Sequence, residues 1–440
     1  MTSVTVVRGE RVVLPDGVRP AAVHVAGGII LNVAPYSDPL PDARVLDAGP
    51  NVILPGLVDT HVHINEPGRT EWEGFSHATR AAAAGGVTTL VDMPLNSVPP
   101  TIDVDALQTK RRAAAGQCHV DVGFWGGVVP GNTERLRPLV EAGVRGFKSF
   151  MAPSGVEEFE HVAEKDLRNA LPILASANVP LLVHAELPSE LRAPEGNPAS
   201  YATWLASRPA RAEVAAVDLL IALSREYGAR IHIVHLATDR AIPALHDARR
   251  KGVPISVETC PHYLTFASEQ VADGAVQFKC APPIREAAQR EHLWSGLANG
   301  DVDMIATDHS PAPPLMKQGD FVRAWGGIAS LQLGLSAVWT GASARGRTFD
   351  DVARWMADFP AQLAGLDGRK GRIAAGADAD FVFWDPDYVD VVDASTLFHR
   401  HPITPYAGLK LKGRVVKTLL RGRIVFDNGV IAGPPSGTFI

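Results

Sequence analysis

The sequence predicts an α/β protein, a closed (β/α)8 TIM-like barrel carrying a small β-sandwich domain built from the N- and C-terminal segments. Three observations lead there. Eight short apolar runs alternate with helical stretches through the middle of the chain. The residues capable of chemistry fall near the C-terminal ends of those runs. Both outer segments are β-rich and unlike the middle.

Residues 1–54 contain VTVVRGERVVLPDG and AAVHVAGGIILNVAP, and residues 368–440 contain DADFVFWDP and VVKTLLRGRIVFDNGV. Short β-rich runs broken by Gly, Pro, Asp and Asn read as hairpins. Neither segment holds enough strands to bury a core alone, so the two are expected to pair into one domain. Residues 55–367 form the expected barrel. Its strand-like runs are ILPGLVDTHVHI, GVTTLVDMP, HVDVGFWGGVV, VRGFKSFM, VPLLVHAE, ARIHIVHLA, PISVETCPHYL and VDMIATDHSP. Between them, stretches such as ATRAAAAGG, LRNALPILASAN and VAAVDLLIALSREYGA have the composition and spacing of helices. Eight strand–helix units in about 310 residues suit a barrel, for which about 250 residues is typical before insertions. A doubly wound open sheet is the alternative, weakened because no Gly-rich nucleotide fingerprint follows the first run.

Composition narrows the function. With 440 residues and 46% hydrophobic content, a large core is available. A net charge of −6 gives no electrostatic grip on nucleic acid or an acidic membrane. Three cysteines (Cys118, Cys260 and Cys280) show no motif spacing, which fits a reducing cytosol. MTSVTVVRGERVV lacks a signal pattern, and no apolar run approaches a membrane span, so a soluble cytoplasmic protein is expected.

The chemistry starts with VDTHVHINEPG. His61 and His63 are two residues apart on a strand, so they point the same way, toward the barrel axis. Two imidazoles converging at a strand end predict a metal site. His184 (LLVHAE) and His235 (IHIVHLA) each end another apolar run. His232 competes with His235, but lies farther from the catalytic end and is read as structural. Asp308, in IATDHSP, reads as a ligand that doubles as general base. Lys148, in GFKSFM, is a lysine inside a barrel, which must be paired or lose its proton.

The set H-x-H, Lys, His, His, Asp on successive strand ends resembles the amidohydrolase superfamily, in its cyclic-amidase branch of dihydroorotases, hydantoinases and allantoinases. The resemblance spans essentially the whole chain. It implies that His61, His63 and Asp308 hold one divalent metal and His184 and His235 a second. It implies that Lys148, carboxylated by CO2 to N6-carboxylysine, bridges them. Zinc is the expected ion, with cobalt, manganese or nickel accepted by the same donors. It further implies a homotetramer acting on a small molecule, with no nucleic acid or membrane partner. Members that have lost metal ligands serve as structural proteins; here all six positions are filled.

Within the branch, INEPGRTEWEGF (64–75), DMPLNSVPPT (92–101), FKCAPPIRE (278–286) and WGGIASLQ (325–332) are similar to the allantoinase group. That similarity implies ring opening of allantoin to allantoate, a step of purine catabolism. Dihydroorotases carry Arg where Asn65 stands, a fork suited to a substrate carboxylate. Hydantoinases and dihydropyrimidinases place Tyr where Pro153 stands. The resemblance implies Asn65, Asn96, Ser154 and the backbone of Ala281 as substrate contacts, with either Ser154 or metal polarisation alone serving the oxyanion. Asp59, His262 and His309 are read as supporting groups. The segment PAPPLMKQGDFVRAW (311–325) is placed to cover the site.

Overall fold

The computed structural model describes residues 4–38 and 42–440; the remainder of the expected N-terminal segment, 1–3 and 39–41, lies outside the described residues. Five strands open the chain: β1 (Thr5–Leu14), β2 (Gly17–Ala26), β3 (Ile29–Ala34), β4 (Arg44–Asp47) and β5 (Val52–Pro55). The barrel strands follow: β6 (Leu57–Val62), β7 (Val87–Asp92), β8 (Asp121–Phe124), β9 (Gly126–Gly127), β10 (Phe147–Phe150), β11 (Leu181–His184), β12 (Ile231–Ile233), β13 (Ile255–Thr259) and β14 (Met304–Ile305). Four more close the chain: β15 (Phe381–Val391), β16 (Lys410–Leu420), β17 (Arg423–Asp427) and β18 (Val430–Ile431).

Each of the eight apolar runs holds a barrel strand. The third run is split into β8 and β9 by Trp125, whose backbone N–H donates to Asp92 O at 3.0 Å and whose indole donates to Thr60 O at 2.8 Å. Pairing is parallel throughout, as the alternation with helices requires. The ring closes between its last and first strands through a parallel bridge from Val62 to His309, with His63 N donating to His309 O at 2.8 Å. The strands are covered on both faces, which is why they read as continuous apolar runs instead of alternating ones.

The helices supply the outer cover. Ala210–Tyr227 begins after Pro209, buries Ala216, Val217, Leu220, Ile221 and Leu223 on one stripe, and stops where Gly228 turns left-handed at φ 61°. Each fully buried Leu or Ile on that stripe stabilises the fold by about 1.5–3 kcal/mol.

The outer strands of both ends join in one domain, as expected. They hydrogen-bond in the order β18-β17-β16-β15-β5-β1-β2-β3, with β4 beside β1, nine strands drawn from both ends of the chain. Strand β5 causes this by pairing with β1 on one edge and β15 on the other. The sheet keeps its own core, including Val7, Val23, Ile53, Phe381, Phe383 and Leu419. Gly56 then passes the chain from β5 to β6, so close to Thr88 that a Cβ there would lie 2.2 Å from its hydroxyl. Sheet and barrel are tied by Lys370, whose Nζ reaches Asp121 at 2.7 Å and Asp378 and Asp380 at 2.8 Å.

Candidate active site

All six residues expected to bind metal arrive at the C-terminal end of the barrel strands. His61 lies on β6 and His63 just past it; Lys148 is on β10 and His184 ends β11. His235 follows β12 by two residues and Asp308 follows β14 by three. The histidines and Asp308 line a cavity of about 290 Å³, while Lys148 is wholly buried beneath it. His235 and Asp308 adopt left-handed backbone conformations, φ 42° and 46°. Non-glycine residues rarely do so, and such strain collects at functional sites.

Two groupings result. Asp308 Oδ1 lies 3.1 Å from His61 Nε2 and 3.4 Å from His63 Nε2, and the three side chains present donor atoms within 4.8 Å of one another. Across from them, His184 Nδ1 faces His235 Nε2 at 3.0 Å. Lys148 Nζ, buried within electrostatic reach of Asp308 and Glu258, has no hydrogen-bond partner.

Two buried acids, which the sequence reading missed, orient the imidazoles. Glu258 Oε1 lies 2.5 Å from His61 Nδ1, and Glu186 Oε2 lies 2.7 Å from His184 Nε2. Burial alone raises the pKa of each. His61 and His232 outweigh it at Glu258, and Arg208 with His184 at Glu186, taking both to about 2. Ionised acids accept the ring protons, so His61 is left with Nε2 and His184 with Nδ1 as free donors. Glu186 is itself clamped by Arg208 at 2.5 and 3.0 Å. The available signal was an acid embedded in each apolar run, SVET and VHAE.

The electrostatics favour cation binding. Burial lowers the pKa of His63, His184 and His235, keeping these rings neutral as ligation requires. Asp308 is held well below the carboxylate range: burial opposes this, but His61 and His63 outweigh it. Burial pushes Lys148 down to about 8, leaving an amine close to losing its proton. The free nitrogens His61 Nε2 and Lys148 Nζ are buried polar atoms without partners, which a bound cation group resolves. The donor set fits divalent metal.

The expected substrate contacts divide. Asn96, Ser154 and Ala281 line the cavity. Asn65 does not: it is fully buried at φ 68°, and its Oδ1 accepts from Asn96 Nδ2 at 3.0 Å. Ser154 is hydrogen-bonded to the Phe159 carbonyl at 2.6 Å, so its one proton is committed there and is not free for an oxyanion. From the covering segment, Arg323, Ala324 and Trp325 form cavity wall. Lys279 Nζ, over the Trp204 ring at 4.4 Å, donates to Ala324 O at 2.5 Å and Val322 O at 3.2 Å. The sequence reading missed Trp204, Arg208 and Lys279 as lining residues, and Phe150, whose ring stacks on His184 at 4.7 Å. Lining aromatics and paired cations have no spacing signature.

A (β/α)8 barrel with four imidazoles, a carboxylate and an unpaired lysine at its catalytic end defines a hydrolase of the metal-assisted class. The amidohydrolase family profile matches residues 52–425, and the chain belongs to that family. It is 51% identical over 431 residues to the allantoinase of Streptomyces avermitilis, covering 98% of this chain and 97% of that one. It is 44% identical over 455 residues to the allantoinase of Arabidopsis thaliana, covering 98% and 90%. Among solved structures, L-hydantoinase (dihydropyrimidinase) from Arthrobacter aurescens superposes with a TM-score of 0.94 at 30% identity, covering 100% and 99%.

Proposed function

We propose that this protein is an allantoinase, opening the ring of allantoin to allantoate by hydrolysis. The observation that carries this reading is the neutral amide of Asn96 at the cavity wall, fixed from behind by Asn65, a pairing suited to a ureido group. The near full-length identity to allantoinases points the same way. The donor set supports two divalent ions, zinc by preference, with His61, His63 and Asp308 at one position and His184 and His235 at the other. The unpartnered, readily deprotonated Lys148 supports carboxylation and a bridging role. A cytoplasmic homotetramer extends the resemblance to the branch; light scattering tests the assembly. Among the described residues no helix is long and apolar enough to cross a membrane. The domain reading is 1–54 with 368–440, and 55–367, supported by the passage at Gly56.

Bound metals would supply Lewis acidity and lower the pKa of water. The chain's own residues do the rest. Asp308, ionised at neutral pH, accepts the proton of the attacking water and returns it to the departing ring nitrogen. Asn96, whose Nδ2 is donated to Asn65, keeps its Oδ1 as an acceptor for the ureido N–H groups. Arg323, Ala324 and Trp325 wall the cavity against bulk water.

The test is a side-by-side assay of protein loaded with zinc and bicarbonate against allantoin, dihydroorotate, hydantoin and dihydrouracil, with elemental analysis. Allantoin is expected as the preferred substrate, with about two ions per chain. A preference for hydantoin or dihydroorotate would overturn the substrate reading while leaving the metal site standing.

A further inference from the structure

Glu258 lies inside β13, wholly buried, and three N–H groups converge on its carboxylate. His61 Nδ1 is 2.5 Å from Oε1, and the backbone N–H of His235 donates to the same oxygen at 3.3 Å. His232 Nε2 lies 3.1 Å from Oε2. His61 belongs to one cation position and His235 to the other. One carboxylate therefore holds a side chain from the first and the backbone of the second.

His232 is in turn fixed. Its Nδ1 lies 2.8 Å from Oγ of Ser256, two residues before Glu258 on the same strand. Because Glu258 is an acceptor only, His232 carries its proton on Nε2, and Nδ1 accepts the Ser256 hydroxyl proton. The chain Ser256–His232–Glu258–His61 thus runs from a second cavity, of about 280 Å³, bordered by His232, Ser256, Arg230 and Asp303, up to the metal site. A histidine that reads from sequence as structural filling is connected to the chemistry through one acid.

We propose that Glu258, held by His232 and Ser256, is a positioning residue that couples the two cation positions, so that both fill, or fail to fill, together. The proposal rests on the two-metal reading above. Glu258 fixes the His61 ring with Nε2 facing the first position and secures the left-handed turn that presents His235 to the second. Without the donor from His232, the carboxylate has an unfilled oxygen in a dry interior and turns to find another partner. Both ligands then lose their orientation at once.

Two near-isosteric substitutions isolate the contact. His232→Gln keeps an amide N–H at the level of Nε2, within reach of Glu258. His232→Asn places its amide at the level of Nδ1, keeping Ser256 and abandoning Glu258. Zinc binding by the purified full-length protein is measured by equilibrium dialysis at graded free zinc, with elemental analysis. His232→Gln is expected to stay within about threefold of the parent, while His232→Asn weakens both ions by about 10–100-fold, the usual cost of losing such an outer contact. Ser256→Ala, which loosens His232 without touching Glu258, is expected to weaken both ions a few-fold and decides the matter if His232→Asn does not fold. Loss of one ion alone, unchanged binding in the variants that fold, or equal losses for Gln and Asn would overturn the coupling. Failure of the unsubstituted protein to bind two ions would instead overturn the metal reading, and the coupling with it.

Discussion

Lys148 and Lys370 are both buried lysines, and their surroundings are opposite. At the junction of sheet and barrel, Lys370 Nζ meets three carboxylates within 2.8 Å. Burial disfavours its charge, but Asp380 and Asp121 outweigh that, and its pKa is raised. At the catalytic end, Lys148 Nζ has no hydrogen-bond partner, lies 4.9 Å from the Phe150 ring centroid, and is pushed by burial to about 8. The fold supplies acids where it needs an ammonium as a tie, and withholds contact acids where it needs an amine that can react. An unpaired buried charge is too costly to be retained by accident.

The sharpest way to break this comparison is to substitute both lysines. Lys148→Arg puts a permanent buried cation at the site and cannot be carboxylated, so activity is expected to fall by about 10²–10³-fold or more, with some loss of stability. Lys148→Met, which removes an amine that has no partner, is expected to be inactive with unfolding little changed. An active Arg variant would end the carbamate reading. Lys370→Met leaves Asp121, Asp378 and Asp380 without their shared cation; a loss of about 3–5 kcal/mol in denaturant unfolding is expected, with kcat per folded molecule intact. A stability loss for Lys148→Met equal to that for Lys370→Met would erase the distinction.

A pH series sharpens the same contrast. Only neutral Lys148 reacts with CO2, and its folded pKa of about 8 lies below its ordinary value of 10.5. At fixed dissolved CO2, reactivation of decarboxylated apoprotein should therefore quicken about tenfold per pH unit up to pH 8, then level off. The linked stability term has the same sign: between pH 8 and 10.5 the unfolded chain holds a proton that the folded chain lacks, so apoprotein stability rises with pH in that window. A reactivation rate still climbing at pH 10 would mean that Lys148 is an ordinary lysine.

These two lysines also show what a sequence can and cannot reveal. Lys148 was legible because a polar residue interrupting an apolar strand is anomalous wherever the strand ends up. His61 and His63 were legible because two-residue spacing settles their common direction. Lys370 was not, since its acids come from position 121 and from positions 378 and 380, brought together only by the topology. Glu186 and Glu258 carried a weaker trace, an acid in an apolar run, but nothing in the run says that His184 or His61 will face it. The pairing order of the terminal domain was illegible for a related reason: composition marks strands, whereas β5, between β1 and β15, joins the two ends of the chain.

The smallest effect concerns Asn65, expected to touch substrate and found one layer behind it. Its Oδ1 fixes Asn96 Nδ2 at 3.0 Å, and its φ of 68° suits an asparagine better than other side chains. If Asn65 acts through Asn96, removing it frees the Asn96 amide to rotate and present the wrong atom to the ureido group. One neutral hydrogen bond contributes about 0.5–1.5 kcal/mol, so Asn65→Ala should raise KM for allantoin by about 2–10-fold and leave kcat nearly unchanged. Asn65→Asp keeps the acceptor for Asn96 and should hold KM closer to the parent, despite the added charge. Asn96→Ala, which removes the substrate contact itself, should cost at least as much as Asn65→Ala, and the double variant no more than Asn96→Ala alone, since Asn65 acts only through Asn96. Additive losses in the double variant would show that Asn65 serves the site by a route of its own.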